Sequence, residues 1–375
     1  MNTKNTTKGV PASKRLYSLD ALRGFDMFWI MGAGGVFSNL AKITGSPIWE
    51  GIANQLTHPA WNGFSMYDLI FPLFLFMAGV STPFSIDSQR EKGKSREELL
   101  FRVIKRGLVL VLLGVIYNNG LQLLPLDQIR FPSVLGRIGL AYMFANIIYL
   151  YARREFQYLW FLGILIGYWM ILKFTSAPGF ALGDLTMEGN FASYIDRLLL
   201  PGKLHKGIHD PEGLFATIPA VSTGLLGIFT GNLLRSDKFT PVRKALIMAI
   251  AGIIFIGIAQ LWNLDFPINK NLWTSSFVCQ TGGISLLFMS LFYYIIDVLG
   301  YQKWAFFFKV IGMNSILIYI SGVFINWSYT SNALFGWFGQ IIGHPYDIVA
   351  LGICTIIVKW MFLYLLYKKK IFLRV

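Results

Sequence analysis

The stretch Phe64 to Ile86 reads FSMYDLIFPLFLFMAGVSTPFSI, an apolar run whose single charge is Asp68 near its start. A hydrocarbon core about 30 Å thick is crossed by roughly 20 apolar residues in a helix, so this run is read as a membrane span. Comparable runs lie on either side. The expected spans are 19–40, 64–86, 105–123, 133–152, 158–174, 214–234, 243–262, 276–299, 305–327 and 348–367, ten in all. None shows the alternation of a membrane strand, so the expected fold is an all-α polytopic bundle rather than a barrel.

Composition agrees. Of 375 residues 55% are hydrophobic and only 14% charged, against roughly 45–50% and about 25% in an average soluble domain. Soluble enzymes, nucleic-acid-binding modules and disulfide scaffolds are excluded. The net charge of +14 is read as topological rather than as a nucleic-acid footprint. With the N-terminus cytoplasmic, 23 of the 33 Lys and Arg residues fall on the cytoplasmic side and 8 outside. That bias puts both termini in the cytoplasm. Residues 1–14 form a polar tail without a signal-peptide pattern, and 15–375 are expected to be one transmembrane domain. Cys279 and Cys354 fall inside spans and carry no redox reading.

Polar groups within spans are costly and point to function. Residues 15–26 read RLYSLDALRGFD, placing Asp20, Arg23 and Asp26 on one helical face. They form either a self-neutralising ladder at the interface or a mouth at which Arg15 and Arg23 meet an anionic ligand. Residues 57–72 read THPAWNGFSMYDLIFP and enter the second span from outside. Pro59 keeps His58 off a regular helix, and Asn62 and Asp68 crowd the same boundary. Asn118 and Asn119 close the third span and Arg137 opens the fourth, with Asp68 a candidate partner for that arginine. The outer segment 175–213 carries His205 and His209 at a metal-like spacing, but Gly207 and Pro211 interrupt any helix that would align them, so no metal is expected. Asp210-Pro211-Glu212-Gly213 reads as the entry of the sixth span. The short outer loop Pro267 to Trp273, with Lys270, precedes the eighth.

Five stretches in register, Arg15 to Gly24, His58 to Pro72, Val134 to Tyr142, Asp210 to Gly213 and Pro267 to Trp273, resemble the membrane domain of the heparan-alpha-glucosaminide N-acetyltransferase family. The resemblance covers nearly the whole chain. It implies acetyl transfer from cytoplasmic acetyl-CoA to a glucosamine-type amine outside. His58 occupies the position of the family's proposed catalytic histidine, with Asp68 beside it. Arg15, Asp20, Arg23 and Arg137 are expected to serve the donor, and Asn62, Asn118, Asn119, Asp210, Glu212 and Lys270 the acceptor. Relatives can carry a catalytic asparagine near the outer end of the first span. Here that stretch reads Met31-Gly32-Ala33-Gly34-Gly35, with Asn39 the nearest amide. The extra lumenal domain and leading span of the eukaryotic enzymes are not seen, which suggests a bacterial or minimal form in an inner membrane.

The implied partners are acetyl-CoA as acyl-donor substrate, an amino-sugar acceptor and membrane lipid, with no nucleic acid; a homodimer stays open. An acetyl-histidine relay is the alternative to direct transfer. Two other functions remain in play: an O-acyltransferase of surface polysaccharide, because the LDALRG start resembles those enzymes as well, and a solute transporter using the same polar groups.

Overall fold

The computed structural model describes residues 16–373. The tail 1–14 and Arg15 lie outside the described residues. Helices make up the whole architecture, and no β-strand occurs among the described residues. In chain order they are α1 (Tyr17–Phe28), α2 (Gly34–Thr44), α3 (Pro47–Gln55), α4 (Ile70–Arg90), α5 (Arg96–Asn119), α6 (Val134–Tyr151), α7 (Arg154–Phe174) and α8 (Phe191–Leu199). Then come α9 (Thr217–Arg235), α10 (Pro241–Asn263), α11 (Ser275–Phe292), α12 (Phe306–Gly312), α13 (Ser315–Phe324), α14 (Trp327–Ile342) and α15 (Asp347–Lys368).

Among the described residues seven helices are long and apolar enough to cross a membrane, eight if the bent pair α12–α13 counts as one. The chain is therefore a multi-pass integral membrane protein. Its other apolar segments differ from the straight spans expected. A π-helical turn, Trp29–Ala33, joins α1 to α2, with Gly32 at φ 136°, a conformation only glycine adopts readily. The segment expected at 305–327 is two short helices bent by 64°. At that bend Asn314 is occupied by the chain's C-terminal segment, donating to the Ile371 carbonyl (2.9 Å) and accepting from the Leu373 amide (3.0 Å). The helix α14 was not anticipated as a separate element. Composition is blind to such breaks, because a kink changes hydrogen bonding and leaves hydropathy unchanged.

Small residues let the helices meet. A Cβ on Gly227 of α9 would lie 2.1 Å from the Phe76 carbonyl oxygen of α4, and one on Gly79 2.2 Å from the Gly224 oxygen. Where lipid removes the hydrophobic drive between helices, such backbone approach supplies the dispersion contacts that hold them together. Capping fixes where elements begin. Ser95 and Ser133 accept from the amides of Glu98 (3.2 Å) and Gly136 (3.0 Å) at the starts of α5 and α6. A main core runs through α1, α4–α7 and α9–α11. A smaller cluster of Tyr168, Leu172, Ala192, Phe266 and Leu272, with Trp61 packed on it, roofs one end. That roof joins residues 56–65, 175–216 and 264–274, and the site lies beneath it.

Candidate active site

The turn into α4 is built around Asp68. Its Oδ2 accepts from the Ser65 amide (3.1 Å) and hydroxyl (3.3 Å), closing a capping box at the 3-10 turn Met66–Leu69. The other oxygen, Oδ1, is left for a partner across the turn. His58 Nδ1 stands 2.6 Å from it. A contact that short to a carboxylate assigns the proton to Nδ1, so the neutral ring carries its lone pair on Nε2. Lys270 Nζ lies 3.0 Å from that Nε2 and 3.7 Å from Asp68 Oδ1. Asp68 is almost fully buried, whereas the His58 side chain is 45% exposed. The arrangement is an oriented, reachable base with a cation beside its lone pair.

Lys270 reaches this point from a loop more than two hundred residues away. Asn269 Nδ2 donates to Asn62 Oδ1 (2.9 Å), the Leu272 amide donates to Asn269 Oδ1 (3.0 Å), and the Gly63 amide donates to the Ile268 carbonyl (2.8 Å). The turn closes at Trp273, whose φ of 51° is unusual for a non-glycine residue and whose ring is fully buried. Burial, two neighbouring anions and the Arg137 cation compete at Lys270. Desolvation dominates and holds its pKa below the usual lysine range, against the pull of Asp68 and Glu212.

Three cavities run in series from this centre. The middle chamber, about 240 Å³, is lined by His58, Lys270 and the rings of Tyr67, Phe74, Tyr117 and Tyr319. The outer chamber, about 270 Å³, shares His58 and Lys270 with it and adds Trp61, Asp68, His205, Lys206 and Glu212. The third, about 230 Å³, shares Phe74, Leu135, Ile138 and Ile316 with the middle one and holds Arg23 and Arg106. Arg106 lies 4.5 Å from the Tyr142 ring centroid and donates to its hydroxyl (3.3 Å). Arg23 donates to Ser81 Oγ and to the Met77 carbonyl (3.3 Å), and pairs with Asp20 at 3.6 Å. A polar end with two guanidiniums is thus linked through an apolar neck to a polar end with the imidazole.

The remaining residues singled out in the sequence are distributed unevenly. Glu212 and Lys270 line the outer chamber. Asn62 supports the Lys270 loop, as above. Asn118 donates to the Pro132 carbonyl (2.6 Å), and Asn119 bonds both ways with the Arg130 backbone (2.9 Å each). Asp210 takes two hydrogen bonds from Arg130 (2.7 and 2.8 Å), which also reaches Glu212 (2.5 Å). Burial would raise the Asp210 carboxyl, but Arg130 holds it below the ordinary range. Arg137 does not pair with Asp68. It donates to the Gly213 carbonyl (3.1 Å), and its guanidinium lies 5.0 Å from the Trp273 ring centroid. His209 turns inward onto Ser193 Oγ (2.7 Å) and Trp61, where burial lowers its pKa to about 3. His205, by contrast, lines the outer chamber, so the two histidines do not converge. Arg15 lies outside the described residues.

Sequence reasoning missed Arg106 and the three tyrosines. Arg106 was grouped with the basic topological residues of its loop, and tyrosines within apolar runs give no signal until the helices are assembled.

Comparison with known proteins gives a consistent result. The family model for heparan-alpha-glucosaminide N-acetyltransferase, catalytic, matches residues 15–263. The heparan-alpha-glucosaminide N-acetyltransferases of Homo sapiens and Mus musculus are each 29% identical to the chain. The alignments cover 96% and 97% of this chain and 60% and 61% of those proteins, so the chain spans about three fifths of the length of these curated relatives.

Proposed function

This chain belongs to the heparan-alpha-glucosaminide N-acetyltransferase family, and on that premise we propose that it carries acetyl from cytoplasmic acetyl-CoA to the amine of an amino sugar on the outer side. The observation that carries the reading is the His58–Asp68 pair at the junction of two chambers, joined through an apolar neck to a chamber with two arginines. Guanidiniums suit the phosphates of the donor nucleotide, and the apolar neck suits its pantetheine arm. The outer chamber, polar and flanked by Glu212, suits a hydroxylated amine.

In this scheme the amine nitrogen attacks the thioester carbonyl in the middle chamber. Nε2 of His58 takes the amine proton as the C–N bond forms. Asp68 holds the ring in the tautomer that puts the lone pair on Nε2, beside Lys270, and favours the imidazolium once it appears. The Lys270 ammonium stabilises the oxyanion. Collapse of the tetrahedral species breaks the C–S bond, and the imidazolium returns its proton to the departing thiolate, so free CoA and an acetamide leave and the site is restored.

The test is incubation of the purified protein with acetyl-CoA and glucosamine, reading N-acetylglucosamine by mass spectrometry and free CoA by thiol titration. Equal amounts of both products are expected. Solute binding without CoA release would mean a transporter, and a hydroxylamine-labile product would mean O-acylation.

A further inference from the structure

A fourth cavity, about 460 Å³, lies on the far side of Tyr67 from the middle chamber and has no part in the transfer described above. It is walled by α1, α3, the turn before α4, the first turns of α4 and Phe288 of α11. Its lining is apolar apart from Gln55 and Asp26, and it carries the rings of Phe25, Trp29, Tyr67 and Phe288. Asp26 is 2% exposed, and its Oδ2 has no hydrogen-bond partner among the described residues. The three-residue ladder suggested by the sequence therefore does not close on Asp26. Arg23 pairs with Asp20 instead.

A buried carboxyl oxygen without a partner in an apolar setting calls for one. An apolar guest without a donor would leave that oxygen unpaired, and a sugar would press its hydroxyls against rings. An ammonium on an apolar body meets every requirement, since the carboxylate supplies a charge-assisted hydrogen bond and aromatic faces attract cations. The volume lies within the range of small-molecule sites. Its lining includes Ile48, which is 72% exposed, so the cavity opens to the protein surface at that edge. We propose that this cavity is a binding site for a lipophilic organic amine, with Asp26 pairing its ammonium among the four rings. The site stands apart from the acceptor position. It is nevertheless adjacent to the chemistry, because the Tyr67 ring that walls it sits 4.8 Å, centroid to centroid, from His58.

The probe is 1-adamantylamine, a compact lipophilic amine, with 1-adamantanol as its neutral counterpart, both titrated by calorimetry into the full-length protein in detergent and into detergent alone. Two variants separate charge from space. Asp26→Asn keeps shape and removes charge. Gly51→Phe fills the cavity at a rim position where an added Cβ meets nothing within 4 Å. The amine is expected to bind saturably, at least tenfold more tightly than the alcohol, and to lose at least tenfold in each variant, while excess glucosamine leaves its binding unchanged. No binding to the wild-type protein, equal affinity for amine and alcohol, undiminished binding by Asp26→Asn, or displacement by glucosamine would each overturn the assignment.

Discussion

Asp68 decides which nitrogen of His58 can act. With Nδ1 committed to the carboxylate at 2.6 Å, the proposed proton abstraction falls to Nε2, and the two residues are expected to act as one unit. His58→Ala is expected to lower transfer by roughly 10²- to 10⁴-fold, the usual worth of general-base assistance, while thermal stabilisation by CoA persists, because the guanidiniums lie in the next chamber, beyond the apolar neck. Near-normal turnover would reduce His58 to a boundary residue. Asp68→Asn should lose a similar amount without losing the fold, since the amide can still accept from Ser65. Lys270 adds a pH signature. Burial holds its pKa down, so the ammonium is lost at a lower pH than in an exposed lysine and oxyanion stabilisation falls as pH rises. Lys270→Arg keeps its charge throughout and should move the alkaline limb of the kcat/KM profile upward. An unmoved limb would remove Lys270 from the reaction. His58 and Asp68 were legible in the sequence because Pro59 bars a helix and a carboxylate that deep is costly. Their link to Lys270, and the absence of one to Arg137, were not, because both depend on how a distant loop folds back.

At the scale of elements, apolar runs revealed most of the helices, and where they misled the reason is local. Gly32 and Asn314 break backbone continuity within sequences that remain apolar, so the first and ninth expected spans looked unbroken. Close approach was equally hidden, since glycine in a span reads the same whether it faces lipid or a neighbour. The α4–α9 contact tests its own importance. A side chain at position 227 meets the Phe76 carbonyl within 2.1 Å of its Cβ, and backbone, unlike a side-chain tip, has no rotamer to yield. Gly227→Leu should therefore destabilise the protein by about 3 kcal/mol or more, the upper end of overpacking costs, measured by thermal unfolding in detergent. An unchanged melting temperature would show that α4 and α9 can part without penalty. By contrast, leucine at Gly163 of α7, where an added Cβ meets nothing within 4 Å, should be nearly neutral.

Across the whole molecule, the problem set by the proposed reaction is distance. The hydrocarbon core is about 30 Å thick, and a donor held by its phosphates at one face must present a thioester near the other. Three chambers with common walls connect the arginines to the imidazole, and the neck between the first two is made of Phe74, Leu135, Ile138 and Ile316. Sequence analysis anticipated a polar residue set at each end and could not see the neck, whose four members come from three helices and differ in no way from ordinary lipid-facing residues. Ile138, 7% exposed, borders both chambers. Replacing it by tryptophan adds a rigid indole where the arm must pass while leaving the arginines and the imidazole untouched. Ile138→Trp should then cut acetyl transfer at least about 100-fold, as loss of alignment between reacting groups does. Binding of adenosine 3′,5′-bisphosphate, which carries the nucleotide end without the arm, should stay within about threefold of the wild type, a change of less than 1 kcal/mol. Isothermal titration and the CoA-release assay on one preparation measure both. Transfer within tenfold of the wild type would mean that the arm takes another path, whereas loss of nucleotide affinity along with transfer would place the obstruction in the arginine chamber rather than the neck.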